Sequence, residues 1–519
     1  MNASIDHSAS PNSPRRALAE VALVFAVFFA QGASPVPDVN EPYYLGKAIH
    51  YWNPDWARGD FFLDSADTHE VFCFTFGWLA LWLSPPVLAW FGRLLTWWLL
   101  AWAWQRLSFA VVPRRWYSIL TAALFVCLLE RCHMAGEWVV GGVEAKGFAF
   151  VLVLLGLEAL VRDRWNRAWL LLGASAAFHV LVGGWSVVAA GIVWLVLGKG
   201  RPALRPMVPA IVGGFLLSLP GLIPSLVLNW GTDGETVRLA HQIYVFERLA
   251  HHLSPMQLPT TYCLRFGLML VLWLVLCHLT PPDEAGHRLR AFVAGTLVLS
   301  AVGATIGLLT YGHPASAAAL LRFYWFRLAD VAVPLGVAVT AATFLINTLR
   351  RDPAVGRRWL AFAVAVAGVH VGIHAVQRPF PESPPADRFV NYYSWRQACN
   401  WVARSGRIPP DARFITPRMS QTFKWYAGRS EVANWKEIPQ DAEAIVAWWR
   451  RIESLYATGL DGPEDRWHES LAEMGAARLQ WLAAMYDAEY VITTRRPPLD
   501  LERVYRNRRY VVYRLPKSE

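Results

Sequence analysis

The chain has 519 residues, 55% of them hydrophobic and only 17% charged, with a mean hydropathy of +0.28; this is the composition of a polytopic membrane protein and not of a soluble enzyme. A net charge of +10 does not indicate nucleic acid, because the arginines cluster between apolar stretches, where they set membrane orientation. Five cysteines (Cys73, Cys127, Cys132, Cys263, Cys277) lie in or beside apolar segments and Cys399 stands apart, so neither a disulfide framework nor a zinc spacing follows.

Residues 1–16 read as a cytoplasmic tail ending in Arg15-Arg16, and the apolar run 17–33 lacks a small-residue cleavage site, which makes it a retained first span. A large outer loop, 34–85, follows. Within it the apolar stretch 70–84 is expected to lie along the leaflet, with Pro85-Pro86 bending the chain into the next span. Further crossings are predicted at 86–110, 116–133, 148–161, 168–184, 185–198, 207–228, 261–280, 291–311, 328–348 and 359–377. Two of these, 148–161 and 185–198, are short for a bilayer and suit helices that line a protein cavity. The basic clusters Arg106/Arg114/Arg115, Arg162/Arg164/Arg167, Lys199/Arg201/Arg205, His287/Arg288/Arg290 and Arg350/Arg351/Arg357/Arg358 should be cytoplasmic. About eleven spans, an odd count, then leave the C-terminal part outside the cell (inner) membrane.

After a Pro-rich linker, 378–386, residues 387–519 read as a three-layer α/β domain, with helices at 391–404, 439–456 and 466–486 and strands at 412–416, 489–494 and 509–514. This domain has no Gly-rich phosphate loop, triad spacing or metal cluster, so its expected role is to cap the membrane domain or bind a polymer.

Chemistry is expected in the outer loops, since ionisable groups at the membrane border are costly to keep. Asp38 and Glu41 open the first loop, where a carboxylate can act as general base or help hold a divalent cation; helix capping is the plainer alternative. Glu144 and Lys146 precede a short span as an ion pair or as a phosphate ligand with its partner. His251 and His252, adjacent and therefore on different sides of a helix, suit donation to a phosphate better than shared metal binding. Arg322 sits in an aromatic interface belt, and Arg327 and Asp330, three residues apart, can neutralise each other. His179, between Phe178 and Val180, reads as a satisfied buried histidine or a supporting group.

The segment Asp38-Val39-Asn40-Glu41, directly after an N-in first span and ahead of lateral helices, broken short spans and an outer α/β domain, resembles the GT-C superfamily of integral membrane glycosyltransferases. Val143-Glu144-Ala145-Lys146, Ala250-His251-His252-Leu253, Arg322-Phe323-Tyr324-Trp325-Phe326-Arg327, Tyr490-Val491-Ile492-Thr493 and Tyr510-Val511-Val512-Tyr513 resemble a bacterial family of uncharacterised polytopic proteins, which brings no activity with it. The GT-C resemblance implies an α-helical membrane bundle that moves a sugar from a polyprenyl-phosphate donor to a glycan, lipid or protein acceptor in the cell envelope, with membrane lipids as surroundings. It implies Asp38 or Glu41 as the base, with inversion at the anomeric carbon, and Lys146, His251, His252, Arg322 and Arg327 around the donor phosphate. The two acids are separated by two residues where the superfamily's pair is adjacent, which leaves the choice of base and the divalent-metal requirement open. A transporter or a non-enzymatic envelope scaffold is the alternative reading; a transporter should show repeated halves, which the chain lacks.

Overall fold

The computed structural model describes residues 14–459 and 466–516, so most of the expected tail 1–16 lies outside the described residues, as does the side chain of Lys199. Helix α1 (Pro14–Gly32) leads into the first long loop, which carries α2 (Glu41–Trp52), α3 (Phe61–Asp64), α4 (Glu70–Thr75) and a 3-10 turn at Gly77–Leu81. The stretch expected to lie along the leaflet is thus two short helical pieces, with Phe74 and Trp82 left exposed. Helix α5 (Pro85–Val111) begins at the Pro85-Pro86 pair, whose fixed φ and missing N–H suit a first helical turn. There follow α6 (Tyr117–Cys132), α7 (Ala145–Val161), α8 (Trp165–Phe178), α9 (Val180–Val196) and α10 (Val208–Val227). The second long loop holds α11 (Gly234–Gln242) and α12 (Ala250–Leu253), joined by a π-helical stretch at Ile243–Arg248. Helices α13 (Thr260–Leu279), α14 (Glu284–Leu309), α15 (Pro314–Leu321), α16 (Arg327–Arg351) and α17 (Pro353–Gln377) complete the bundle.

Among the described residues, α10 with its preceding turn, α13, α14, α16 and α17 are long and apolar enough to cross a membrane. This is a multi-pass membrane protein. Aspartates start several helices: Asp283 accepts from Gly286 N, and Asp352 from Ala354 N and Val355 N. Helices α8 and α10 touch backbone to backbone at Gly173 and Gly214, where a Cβ on Gly173 would overlap the Gly214 carbonyl. Three of the basic clusters meet at one end of the bundle: Arg288 pairs with Asp163 at 3.2 Å and donates to Val161 O, while Arg106 and Arg162 both reach the buried Glu158. The long loops and the C-terminal domain occupy the opposite face.

The C-terminal domain is the expected three-layer unit. Its mixed sheet has the order β2-β1-β3-β5-β4, from β1 (Arg413–Ile415), β2 (Ser430–Glu431), β3 (Tyr490–Thr494), β4 (Glu502–Arg506) and β5 (Tyr510–Arg514). Parallel pairs join β1 to β2 and β3, and antiparallel pairs join β5 to β3 and β4. One core layer sets Trp448, Ile452, Leu479 and Leu482, from α20 (Ala442–Tyr456) and α21 (Gly475–Tyr486), against Val491 and Val511. The other sets Trp395, Cys399 and Phe423, from α18 (Tyr392–Arg404) and α19 (Phe423–Ala427), against Phe414, Ile492 and Val512. Strand β4 carries charge at both ends and lies exposed at the sheet edge, and β2 is two residues long, so neither shows a strand pattern in sequence. The helix expected from residue 466 begins only at Gly475, after a 3-10 turn capped by Ser470.

A buried charge cluster clamps this domain onto the first loop. The fully buried Lys424 ammonium lies 3.2 Å from Asp60 and 2.9 Å from Glu431 and also pairs with Glu437. Asp60 caps α3 through Phe62 N and Leu63 N with one oxygen and accepts Glu431 N with the other. Replacing Lys424 by Met would leave three carboxylates buried together without their cation. The expected outcome is a loss of about 3–5 kcal/mol of stability, read as a lower unfolding temperature in detergent and as earlier protease release of the C-terminal domain.

Candidate functional site

Four loops and the C-terminal domain meet above the bundle. Glu41, at the start of α2, is fully buried and bound in a two-pronged pair by Arg93 of α5, with Nε to Oε1 at 2.6 Å and Nη2 to Oε2 at 2.7 Å. Its carboxylate also accepts Val143 N at 3.0 Å and Asp38 N at 2.7 Å. Every acceptor direction of Glu41 is therefore committed to holding the chain. Asp38, by contrast, is half-exposed; it accepts from Val39 N at 2.7 Å with Oδ1 and from Gly142 N at 2.8 Å with Oδ2. Gly142 is required there, since a Cβ would lie 2.7 Å from that of Asp38.

Beside this frame stands an acid that the sequence reading passed over. Glu137, buried in the loop before α7, accepts from Lys146 Nζ at 2.6 Å and lies 3.0 Å from Arg327 Nε. Burial raises its pKa, but Lys146 and Arg327 outweigh that and hold it at about 2. Lys146 also sits 3.4 Å from Glu144 and 4.2 Å above the Trp138 ring. Asn40 donates to Glu144 at 2.8 Å, which ties the first loop to the Glu144–Lys146 pair; burial pushes Glu144 up. Arg327 stacks 3.8 Å over Tyr324, whose hydroxyl meets that of Tyr244 at 2.8 Å.

Asp330 does not pair with Arg327 as their spacing suggested. It accepts the backbone N–H groups of Met134, Ala135 and Glu137 at 2.6, 2.8 and 3.2 Å, so it shapes the loop that presents Glu137. His252 Nδ1 lies 2.5 Å from Ala135 O on that same loop, and burial followed by Arg327 and His251 lowers its pKa to about 2, so it is a neutral donor. His251 stacks on it at 4.0 Å and is exposed. His179 caps α9 and faces His69 at 5.6 Å, which in turn pairs with Asp67 at 2.8 Å and meets Tyr44 edge to face. Arg322 stands apart from the Glu137 network, 2.5 Å from His241 Nε2 on α11.

The C-terminal domain closes the site. Gln440 bonds Asp67, Thr68 and Tyr43 of the first loop, and Arg248 donates to Trp435 O at 2.9 Å with its guanidinium 5.6 Å from the Trp435 ring. Lys436, next to that tryptophan, is half-buried within electrostatic reach of Arg248, Glu144, Arg388 and Lys146. Among the described residues neither Arg248 nor Lys436 has a carboxylate in salt-bridge contact. Burial, then Arg248, brings Lys436 down to about 7. Nothing in the sequence around Lys436 or Gln440 marks them, because their place here is made by domain docking.

The surroundings of Asp38 do not fit the divalent cation that the GT-C resemblance left open. Both Asp38 oxygens accept backbone N–H groups and Glu41 is saturated by Arg93. Among the described residues, a group of side chains that could hold a metal ion lies elsewhere, at Glu130, His370 and His374.

A family model described as "Domain of unknown function (DUF6798)" matches residues 393–455, which run from α18 to α20. No curated protein sequence matches the chain. Among solved structures, the chain is similar to the Archaeoglobus fulgidus oligosaccharyltransferase in complex with Zn and sulfate, at 11% identity and a TM-score of 0.48 over 92% of this chain and 67% of that one. It is similar also to ArnT from Cupriavidus metallidurans bound to undecaprenyl phosphate, at 14% identity and a TM-score of 0.47 over 96% and 97% of the two chains. A third is the A. fulgidus oligosaccharyltransferase AglB in complex with an inhibitory peptide and a dolichol-phosphate, at 11% identity and a TM-score of 0.46, over 93% and 70%.

The two first-loop acids should separate cleanly in a stability measurement. Glu41→Gln leaves Arg93 buried without its counter-charge and is expected to cost about 3–5 kcal/mol. Asp38→Asn, at a half-exposed position, should cost about 1 kcal/mol or less. Thermal unfolding of both purified variants in one detergent checks this.

Proposed function

We propose that the protein is a membrane glycosyltransferase that moves a sugar from a polyprenyl-phosphate-linked donor to an acceptor on the extracytoplasmic face. The observation that carries this reading is a pair of cations, Arg248 and Lys436, that among the described residues have no carboxylate in salt-bridge contact, with Lys146 in electrostatic reach of Lys436 and Arg327 gathered with both around His251. Cations withdrawn from water without anions are unfavourable, so such a group favours an anionic ligand, and a phosphate at the membrane border supplies one. The basic clusters that meet at the other end of the bundle support an orientation with that end cytoplasmic and the C-terminal domain outside.

In this reading Asp38 is the base. It takes the proton from the acceptor hydroxyl while the hydroxyl oxygen bonds to the anomeric carbon from the side opposite the phosphate. The bond from that carbon to the phosphate oxygen breaks, and its electron pair leaves with the polyprenyl phosphate. Lys436, Arg248, Lys146 and Arg327 stabilise the charge that grows on the departing phosphate. Glu41 is the positioning residue that holds Asp38 and the Gly142-Val143 backbone. His252, whose one N–H goes to the Ala135 carbonyl, holds the Glu137 loop; His251 is a neutral donor, and Arg322, turned toward His241, stays outside the phosphate group. Glu144 and Asp330 support the loops that carry Lys146 and Glu137.

The test is transfer of radiolabelled sugar from a panel of polyprenyl-phosphate sugars by protein in lipid nanodiscs. Asp38→Asn is expected to lower turnover by about 10²–10⁴-fold, the range of a general base, with its fold intact. Absence of turnover and of polyprenyl-phosphate binding in the wild type would overturn the reading.

A second outcome follows from Lys436. The free site loses this charge as pH rises through about 7, so affinity for polyprenyl phosphate should fall as pH rises through and above that value. Lys436→Arg, whose guanidinium stays charged, should flatten that profile; titration of a fluorescent polyprenyl-phosphate analogue at several pH values reads it.

A further inference from the structure

The ends of three helices place a set of metal ligands where no other part of the proposed function needs them. Glu130, in the last turn of α6, faces His370 and His374, one turn apart on α17, and their ligand atoms all lie within 4.8 Å of one another. Glu130 Oε2 is 2.7 Å from His374 Nε2 and 3.8 Å from His370 Nε2. Gln31, at the end of α1, adds a fourth donor: its Oε1 is 2.9 Å from His370 Nε2, while its amide nitrogen donates to Glu130 at 2.7 Å. Both histidines and Gln31 are buried.

Each ligand is held by a neighbour, as metal ligands commonly are. His374 Nδ1 donates its N–H to the His370 carbonyl 3.0 Å away, which makes Nε2 the nitrogen free to bind a metal once its proton leaves. Arg378 pairs with the other Glu130 oxygen at 3.0 Å, leaving Oε2 turned to the histidines. Around a zinc ion with ligand bonds of about 2.1 Å, tetrahedral ligand atoms lie about 3.4 Å apart, a spacing between the two Glu130–histidine distances seen here. The ligand atoms, now within 4.8 Å of one another, draw together by about an ångström to reach that spacing.

We propose that Glu130, His370 and His374, with Gln31 Oε1 as fourth donor, form a structural site for Zn²⁺ or a divalent cation of similar ligand preference. Two nitrogens and two oxygens in a four-coordinate set suit zinc and exclude the oxygen-rich shells of calcium and magnesium. Binding replaces the proton that Glu130 and His374 share, which is released, while the neutral His370 moves its N–H from Nε2 to Nδ1 and turns Nε2 from a donor to Gln31 into a ligand. The ion joins the ends of α1, α6 and α17. Those ends continue into the Asp38 loop, the Glu137 loop and the linker to the C-terminal domain, so the site braces the frame from which all three depart.

The test needs no substrate. Full-length protein, purified in detergent and loaded with Zn²⁺ or Co²⁺, is passed over a desalting column and assayed by elemental analysis, visible absorption and thermal unfolding. The wild type is expected to keep one equivalent of zinc, to give the intense visible bands of tetrahedral Co²⁺, and to lose thermal stability with a chelator. His374→Ala and Glu130→Gln should each weaken binding by at least about tenfold, whereas Asp38→Asn should retain it, which separates this site from any at the first loop. Glu130→Gln keeps the shape of the site, so it decides the matter should His374→Ala fail to fold. A wild type that keeps no metal and shows no Co²⁺ bands, or a folded Glu130→Gln protein that binds as tightly as the wild type, would overturn the proposal.

Discussion

The pairing of Glu41 with Arg93 is the constraint on which the site is built. Arg93 lies in α5, surrounded by apolar helices, and a guanidinium there is tolerable only with a carboxylate in two-pronged contact. Its remaining donor reaches the Ser34 carbonyl at the end of α1. Glu41 passes the constraint on by accepting Asp38 N and Val143 N, and Asp38 accepts Gly142 N in turn. One buried ion pair thereby sets α1, α2, α5 and the loop before α7 in fixed relation. It also explains why one of two neighbouring acids is sealed and the other is left with an accessible carboxylate.

A second charge cluster closes the space above. Lys424 with Asp60, Glu431 and Glu437 holds the first loop to the sheet, and Gln440 and Arg248 add hydrogen bonds on either side. The C-terminal domain is thus a wall of the site and not an appendage on a flexible tether. It contributes Lys436 and the Trp435 ring, which no membrane helix supplies.

The electrostatic balance inside this chamber is uneven. Lys146 and Arg327 share Glu137 and Glu144, so that part of the network is close to neutral. Arg248 and Lys436 extend it with positive charge, and the neutral His252 does not offset them. The surplus suits the phosphate of the proposed donor, whose negative charge grows as the bond to the anomeric carbon breaks.

The membrane bundle was legible from the chain alone, because a lipid-facing helix needs an apolar run and its basic ends are free to cluster. Asp38, Lys146 and Arg327 were legible as charged groups beside such runs. Glu137 was missed because a single acid between Gly136 and Trp138 has no local pattern, and its role comes from Lys146 and Arg327 on other segments. The pairing expected for Arg327 with Asp330 was likewise a matter of spacing along one helix, overridden when three loop N–H groups claimed the aspartate. Hydropathy and charge along the chain thus determined where helices run and which residues reach the membrane border. Only the tertiary structure decided which acid is sealed, which cations among the described residues have no carboxylate in salt-bridge contact and that the last domain packs over the first loop, because burial and pairing depend on segments far apart in sequence.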